Sequence, residues 1–64
     1  MTNEKIIEVL EKQFNKIYPH YRLEVIEFEW EENGEKHFNL IANGHNYQVM
    51  VVLEEDKVYW DRCL

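Results

Sequence analysis

Residues 23–53 read LEVIEFEWEENGEKHFNLIANGHNYQVMVVL, and the two Asn-Gly pairs inside that stretch decide the fold. Asn-Gly supplies two consecutive positions that accept a positive φ, which a two-residue hairpin turn needs if it is to match the twist of its strands. Asn33-Gly34 and Asn43-Gly44 are each flanked by runs with apolar–polar alternation. Strands are therefore expected at about 22–31, 36–42 and 46–53. Glu54-Glu55-Asp56 makes a third, polar turn before a short strand at 57–62. These connections are too short for a crossover, so the four strands form an up-and-down antiparallel meander.

The first strand has a phase conflict. Leu23 and Val25 alternate on one parity, while Ile26, Phe28 and Trp30 alternate on the other. A bulge near Val25–Ile26 would put all five on one side; without it Leu23 and Val25 take the opposite face.

Upstream of the strands the period changes. Ile6, Ile7, Leu10, Phe14, Ile17 and Tyr18 fall on one arc at helical spacing, with Glu8 and Lys12 one turn apart on the other side. Thr2 or Asn3 can cap the first turn, where Glu4 places negative charge. Pro19 cannot continue the ladder and disfavours helical geometry at Tyr18. A helix is expected over about 3–17. The fold class is thus α+β, an α-β-β-β-β order with one N-terminal helix packed on a four-stranded sheet, and 1–64 forms a single small domain.

One helix covers one sheet face. The expected inner set is Ile26, Phe28, Trp30, Phe38, Leu40, Tyr47, Val49, Val51, Leu53, Val58 and Trp60. The other face then carries Glu27, Glu29 and Glu31 on the first strand, but Ile41, Met50, Val52 and Tyr59 on the later ones. An open antiparallel sheet should present a mostly polar outer face, so this second apolar group calls for an explanation. A contiguous patch of this kind marks an interface, unless the register is wrong or the C-terminal residues cover it.

Composition narrows the function. With 13 acidic and 7 basic residues the net charge is −6. The first 22 residues hold three acids and four bases, whereas the remainder hold ten acids and three bases. The negative field therefore belongs to the strands. It disfavours direct contact with nucleic acid or an anionic membrane and suits a basic partner. No apolar run approaches a membrane span, MTNEKIIEV lacks the pattern of a secretion signal, and one cysteine allows no intrachain disulfide, so a cytoplasmic location is the default.

Catalytic and cofactor signatures are missing from the sequence. There is no serine and Thr2 is the one threonine. His20, His37 and His45 match no zinc spacing, and Cys63, next to the chain end, lacks the surroundings a nucleophilic thiol needs. Gly34 and Gly44 belong to hairpins, not to a phosphate loop. Glu27, Glu29 and Glu31, about 7 Å apart along a strand, cannot share one small ion without help from another strand. An enzyme would need a cleft with a Glu–His pair, His37 being the best placed histidine. No catalytic residue, metal or cofactor is expected.

The run from Phe14 to Trp60 resembles the small PepSY-like domains. The matching features are Phe14-Asn15-Lys16-Ile17-Tyr18-Pro19, Glu29-Trp30-Glu31-Glu32-Asn33-Gly34, Asn43-Gly44-His45-Asn46-Tyr47-Gln48-Val49 and Asp56-Lys57-Val58. The resemblance implies binding or inhibition in place of turnover, and a family whose members are often exported.

The expected function is that of a small acidic protein-interaction or inhibitory module without catalysis. Its candidate interface residues are Ile41, Met50, Val52 and Tyr59 with Glu27, Glu29 and Glu31, and its expected partner is a second copy or another, basic protein. The alternatives are a self-associating structural domain, or an acidic mimic of nucleic acid that inhibits a basic host protein, as a phage or mobile element would use.

Overall fold

The computed structural model describes residues 1–63, with side chains described as far as Asp61; the side chain of Cys63, read above as unreactive, lies outside the described residues. Helix α1 spans Asn3–Ile17, and strands β1 (Leu23–Glu32), β2 (Glu35–Ala42), β3 (His45–Glu54) and β4 (Lys57–Cys63) form one antiparallel sheet in the order β1-β2-β3-β4. The chain is α+β, one helix on a four-stranded meander, as the hairpin signals predict.

Thr2 starts the helix. Its Oγ1 accepts from the Lys5 N–H at 3.2 Å, which satisfies one otherwise unpaired donor of the first turn, and its carbonyl accepts the first helical bond from the Ile6 N–H at 3.0 Å. Ile6, Leu10 and Phe14, one helical turn apart, are the buried stripe. They close over Phe38, Leu40 and Ala42 of β2, Val49 and Val51 of β3, and Val58 of β4. Ile17 lies on the same arc but is 57% exposed. At that last turn the rings of Phe14, Tyr18 and Tyr21 pack on one another at centroid distances of 5.0–6.1 Å and take the place against the sheet.

Two further contacts fix the helix over the sheet. Trp60 Nε1–H donates to Gln13 Oε1 at 2.6 Å, tying β4 to the helix middle. Lys36 Nζ donates to Asn3 Oδ1 at 2.8 Å and lies 3.5 Å from Glu31 Oε1, which ties the β1–β2 hairpin to the helix start.

β1 is bulged twice. The register runs Leu23↔Ala42, then Val25↔Ile41, and later Phe28↔Phe38, then Trp30↔His37. Glu24 and Glu29 are therefore the extra residues. The expected single bulge near Val25–Ile26 is replaced by one at Glu24, which leaves Val25 on the outer face beside Ile41. The second, at Glu29, reverses the parity of the strand's end. Trp30, expected inside, lies outside, and Glu31, expected outside, turns to the helix side opposite Lys36. Phe28 stays on the helix side, edge-on to Phe38 at 5.5 Å, but is 38% exposed because β1 is the sheet's margin.

The first bulge has its cause in the β2–β3 turn that packs beside it. Arg22 N–H donates to Asn43 Oδ1 at 2.8 Å, the Asn43 N–H donates to the Arg22 carbonyl at 3.0 Å, and Gly44 N–H donates to Glu24 Oε2 at 2.8 Å. Spacing Glu24 out of the ladder lets its carboxylate reach the β2–β3 turn.

All three hairpins have two-residue turns with positive φ at both positions: 51° and 79° at Asn33-Gly34, 51° and 78° at Asn43-Gly44, and 52° and 63° at Glu55-Asp56. The third places two residues with a Cβ where the left-handed region costs roughly 1–2 kcal/mol per residue, less for Asp. Replacing Glu55-Asp56 by Asn-Gly is expected to raise stability by about 1 kcal/mol. An unchanged or lowered urea midpoint would show that no strain is stored there.

Candidate functional site

The helix-free face follows from the register, row by row. Glu32, Glu35, Val52 and Tyr59 are neighbours across the four strands, and the next row is Trp30, His37, Met50 and Asp61. Adjacent strands are about 4.8 Å apart, so Trp30, His37, Met50, Val52 and Tyr59 form one continuous apolar and aromatic band. Trp30 and His37 are stacked, with ring centroids 4.4 Å apart and planes at 11°. Met50, Val52, Tyr59 and Asp61 line a shallow groove between β3 and β4.

Trp30 is 45% exposed and Tyr59 53%. An aromatic side chain offers 150–250 Å² to burial, so on the order of 100 Å² of each remains in water. At about 25 cal/mol per Å², covering each is worth roughly 2.5 kcal/mol. A solvated strand face gains nothing by leaving that area open.

The third row is polar: Glu27, Asn39 and Gln48. Asn39 Nδ2–H donates to Asn46 Oδ1 at 3.0 Å. Gln48 Oε1 is shut off from solvent with no hydrogen-bond partner among the described residues, an orphaned acceptor at the border of the band. Beyond this row lies Ile41, between Val25 and Asn46. It is four residues from His37 along β2, roughly 13 Å, so, contrary to the expectation from alternation, it does not join Met50, Val52 and Tyr59.

The acidic row is also dispersed. Glu27 faces outward opposite Asn39, Glu29 is the bulge residue, and Glu31 pairs with Lys36 on the helix side. The carboxylates that border the band are instead Glu32 and Glu35 at one end and Asp61 beside Met50. His37 is held by the Trp30 ring, while His20 and His45 are exposed in the helix–β1 connection and at the start of β3. Among the described residues, no three His, Cys, Asp or Glu side chains gather as metal ligands.

On the helix side, Phe14, Tyr18, Tyr21, Leu40, Tyr47, Val49 and Trp60 line a small cleft. It lies beneath the last helical turn, between the aromatic cluster and the sheet. Among the described residues, no helix is long and apolar enough to cross a membrane.

No family model, curated protein sequence or solved structure matches the chain.

Proposed function

We propose that this protein is a small acidic interaction module that binds another protein through its helix-free sheet face. The observation that carries this reading is the band Trp30–His37–Met50–Val52–Tyr59, whose two aromatic residues are about half exposed although a folded helix already covers the opposite face. Exposed aromatic and methionine side chains within a polar rim are what a protein-binding surface presents. The rim carboxylates Glu32, Glu35 and Asp61 favour a partner that sets Lys or Arg around an apolar contact. Binding without turnover is also what the resemblance to PepSY-like domains implies.

Selection of peptides from a random display library against the purified protein tests the reading. The expected consensus is an aromatic or aliphatic residue flanked by Lys or Arg. Met50→Asp places a charge in the centre of the band and is expected to weaken binding of such peptides by about 100-fold, a hot-spot loss of roughly 3 kcal/mol. The fold should persist, because Met50 faces away from the core. Binding that survives both Met50→Asp and Trp30→Ala would place the surface elsewhere.

A further inference from the structure

We propose that two copies of this chain join through the free edge of β4, antiparallel and centred on Tyr59, to make one eight-stranded sheet. The pairing stands on the edge and charge pattern of β4, independently of what the outer face binds.

The sheet has two edges, and they differ. β1 is interrupted by bulges at Glu24 and Glu29 and carries five glutamates between Leu23 and Glu32. Bulges and like charges are the ordinary ways by which an edge is kept from pairing with another copy of itself. β4 pairs with β3 through an unbroken register from Lys57 to Cys63 and, among the described residues, has no strand on its other side. A regular edge leaves a row of peptide groups open to a further strand.

The peptide groups that point outward follow from the turn. Glu54↔Lys57 flank the two-residue turn and form its closing hydrogen-bonded pair. By alternation, Tyr59 and Asp61 also turn their peptide groups to β3, and Val58 and Trp60 turn theirs outward. An antiparallel copy centred on Tyr59 sets Val58 opposite Trp60 of the second copy, so the outward groups of one meet the outward groups of the other. The two-fold axis then produces four backbone hydrogen bonds from these residues.

The side chains select this register. β4 begins Lys57-Val58-Tyr59-Trp60-Asp61, and its charges are antisymmetric about Tyr59. Lys57 therefore falls opposite Asp61 of the second copy, twice over, in positions where cross-strand side chains lie close. In the sequence, Asp56 and Arg62 continue the same antisymmetry. Centring the pair on Trp60 would set Lys57 against Cys63 and Asp61 against Tyr59. Centring it on Val58 would set Asp61 against Glu55, a like-charge pair. Of these three registers, the one about Tyr59 sets Lys57, Asp61 and Arg62 each opposite a residue of opposite charge.

The consequence for the outer face is direct. Lys57, Tyr59 and Asp61 share the outward parity with Met50 and Val52. Tyr59 meets its own copy across the axis, and the two bands become one surface twice as wide. A partner with two contact points, or a symmetric partner, would then engage both.

Charge reversal tests the pairing, read by native mass spectrometry and sedimentation equilibrium from micromolar to millimolar concentration. Lys57 and Asp61 are exposed, so the variants should fold, and far-ultraviolet circular dichroism checks this. Lys57→Glu alone and Asp61→Lys alone are each expected to raise the dimer dissociation constant by about tenfold or more, because two attractive cross-strand pairs become two repulsive ones. An equimolar mixture of the two variants restores every opposite-charge pair and should give the heterodimer preferentially. The double variant K57E/D61K should dimerise with itself. A wild-type chain that stays monomeric at millimolar concentration overturns the proposal. So does a single variant that dimerises as well as wild type, or a mixture with no preference for the heterodimer. Peptide binding at Met50 should be retained in Lys57→Glu, which leaves the band and its rim carboxylates in place, so failure of the edge pairing and failure of the face reading are separately visible.

Discussion

Phe38→Ala is expected to remove about 3–5 kcal/mol of stability and leave the chain largely unfolded at room temperature. Phe38 is fully buried at the centre of β2, among Leu40, Val49 and Val51 and below Ile6 and Leu10 of the helix. The edge of the sheet leans on it too, through the ring of Phe28 at 5.5 Å. A domain of this size holds roughly 3–10 kcal/mol in total, so the cavity would take most of it. The single cysteine allows no intrachain disulfide to add to that core. Phe28→Ala is the internal control: the same ring on the neighbouring strand, but 38% exposed, should cost less than half as much. Urea unfolding followed by circular dichroism measures both. Equal losses at the two positions would mean that the core is not centred on β2.

Asn43→Ala should cost about 2–3 kcal/mol, more than its place in an exposed turn suggests. Its φ of 51° suits asparagine and strains alanine. Its Oδ1 also accepts from the Arg22 N–H at 2.8 Å, and its own N–H donates to the Arg22 carbonyl. These two bonds hold the entry to β1 against the β2–β3 turn. Asn33 has the same φ, the same following glycine and the same kind of turn, without the bracket to Arg22. Asn33→Ala should therefore lose only the conformational part, about 1 kcal/mol. Equal effects at the two asparagines would show that the bracket contributes nothing.

Most of the architecture is legible in the residues because two Asn-Gly turns and one proline punctuate it strongly. Helix, strands and topology follow from local chemistry alone. The outer face was harder, since a single bulge changes which side chains it shows. Two features of the sequence could have resolved it. A two-residue turn at Asn33-Gly34 pairs Glu32 with Glu35, so counting back sets Trp30 opposite His37. Phe38 points inward, so His37 and with it Trp30 must point outward. Phe28 and Trp30 then need a bulge between them, and Glu29 is the one residue available. The same count sends Glu31 inward to Lys36, which dissolves the row of three glutamates as a unit. Glu24 was less accessible: its bulge serves a bond to Gly44 N–H, a contact across 20 residues that no local pattern announces. Parity puts Ile41 on the same face as Met50 but does not fix its position along the strand.

The helix-free face carries the functional reading, and amide chemical shifts test it most directly. A display-selected peptide titrated into ¹⁵N-labelled protein should move the resonances of Trp30, His37, Met50, Val52 and Tyr59 and leave the helix unperturbed. Shifts gathered instead on Phe14, Tyr18, Tyr21 and Tyr47 would place binding in the cleft under the helix end and contradict the account.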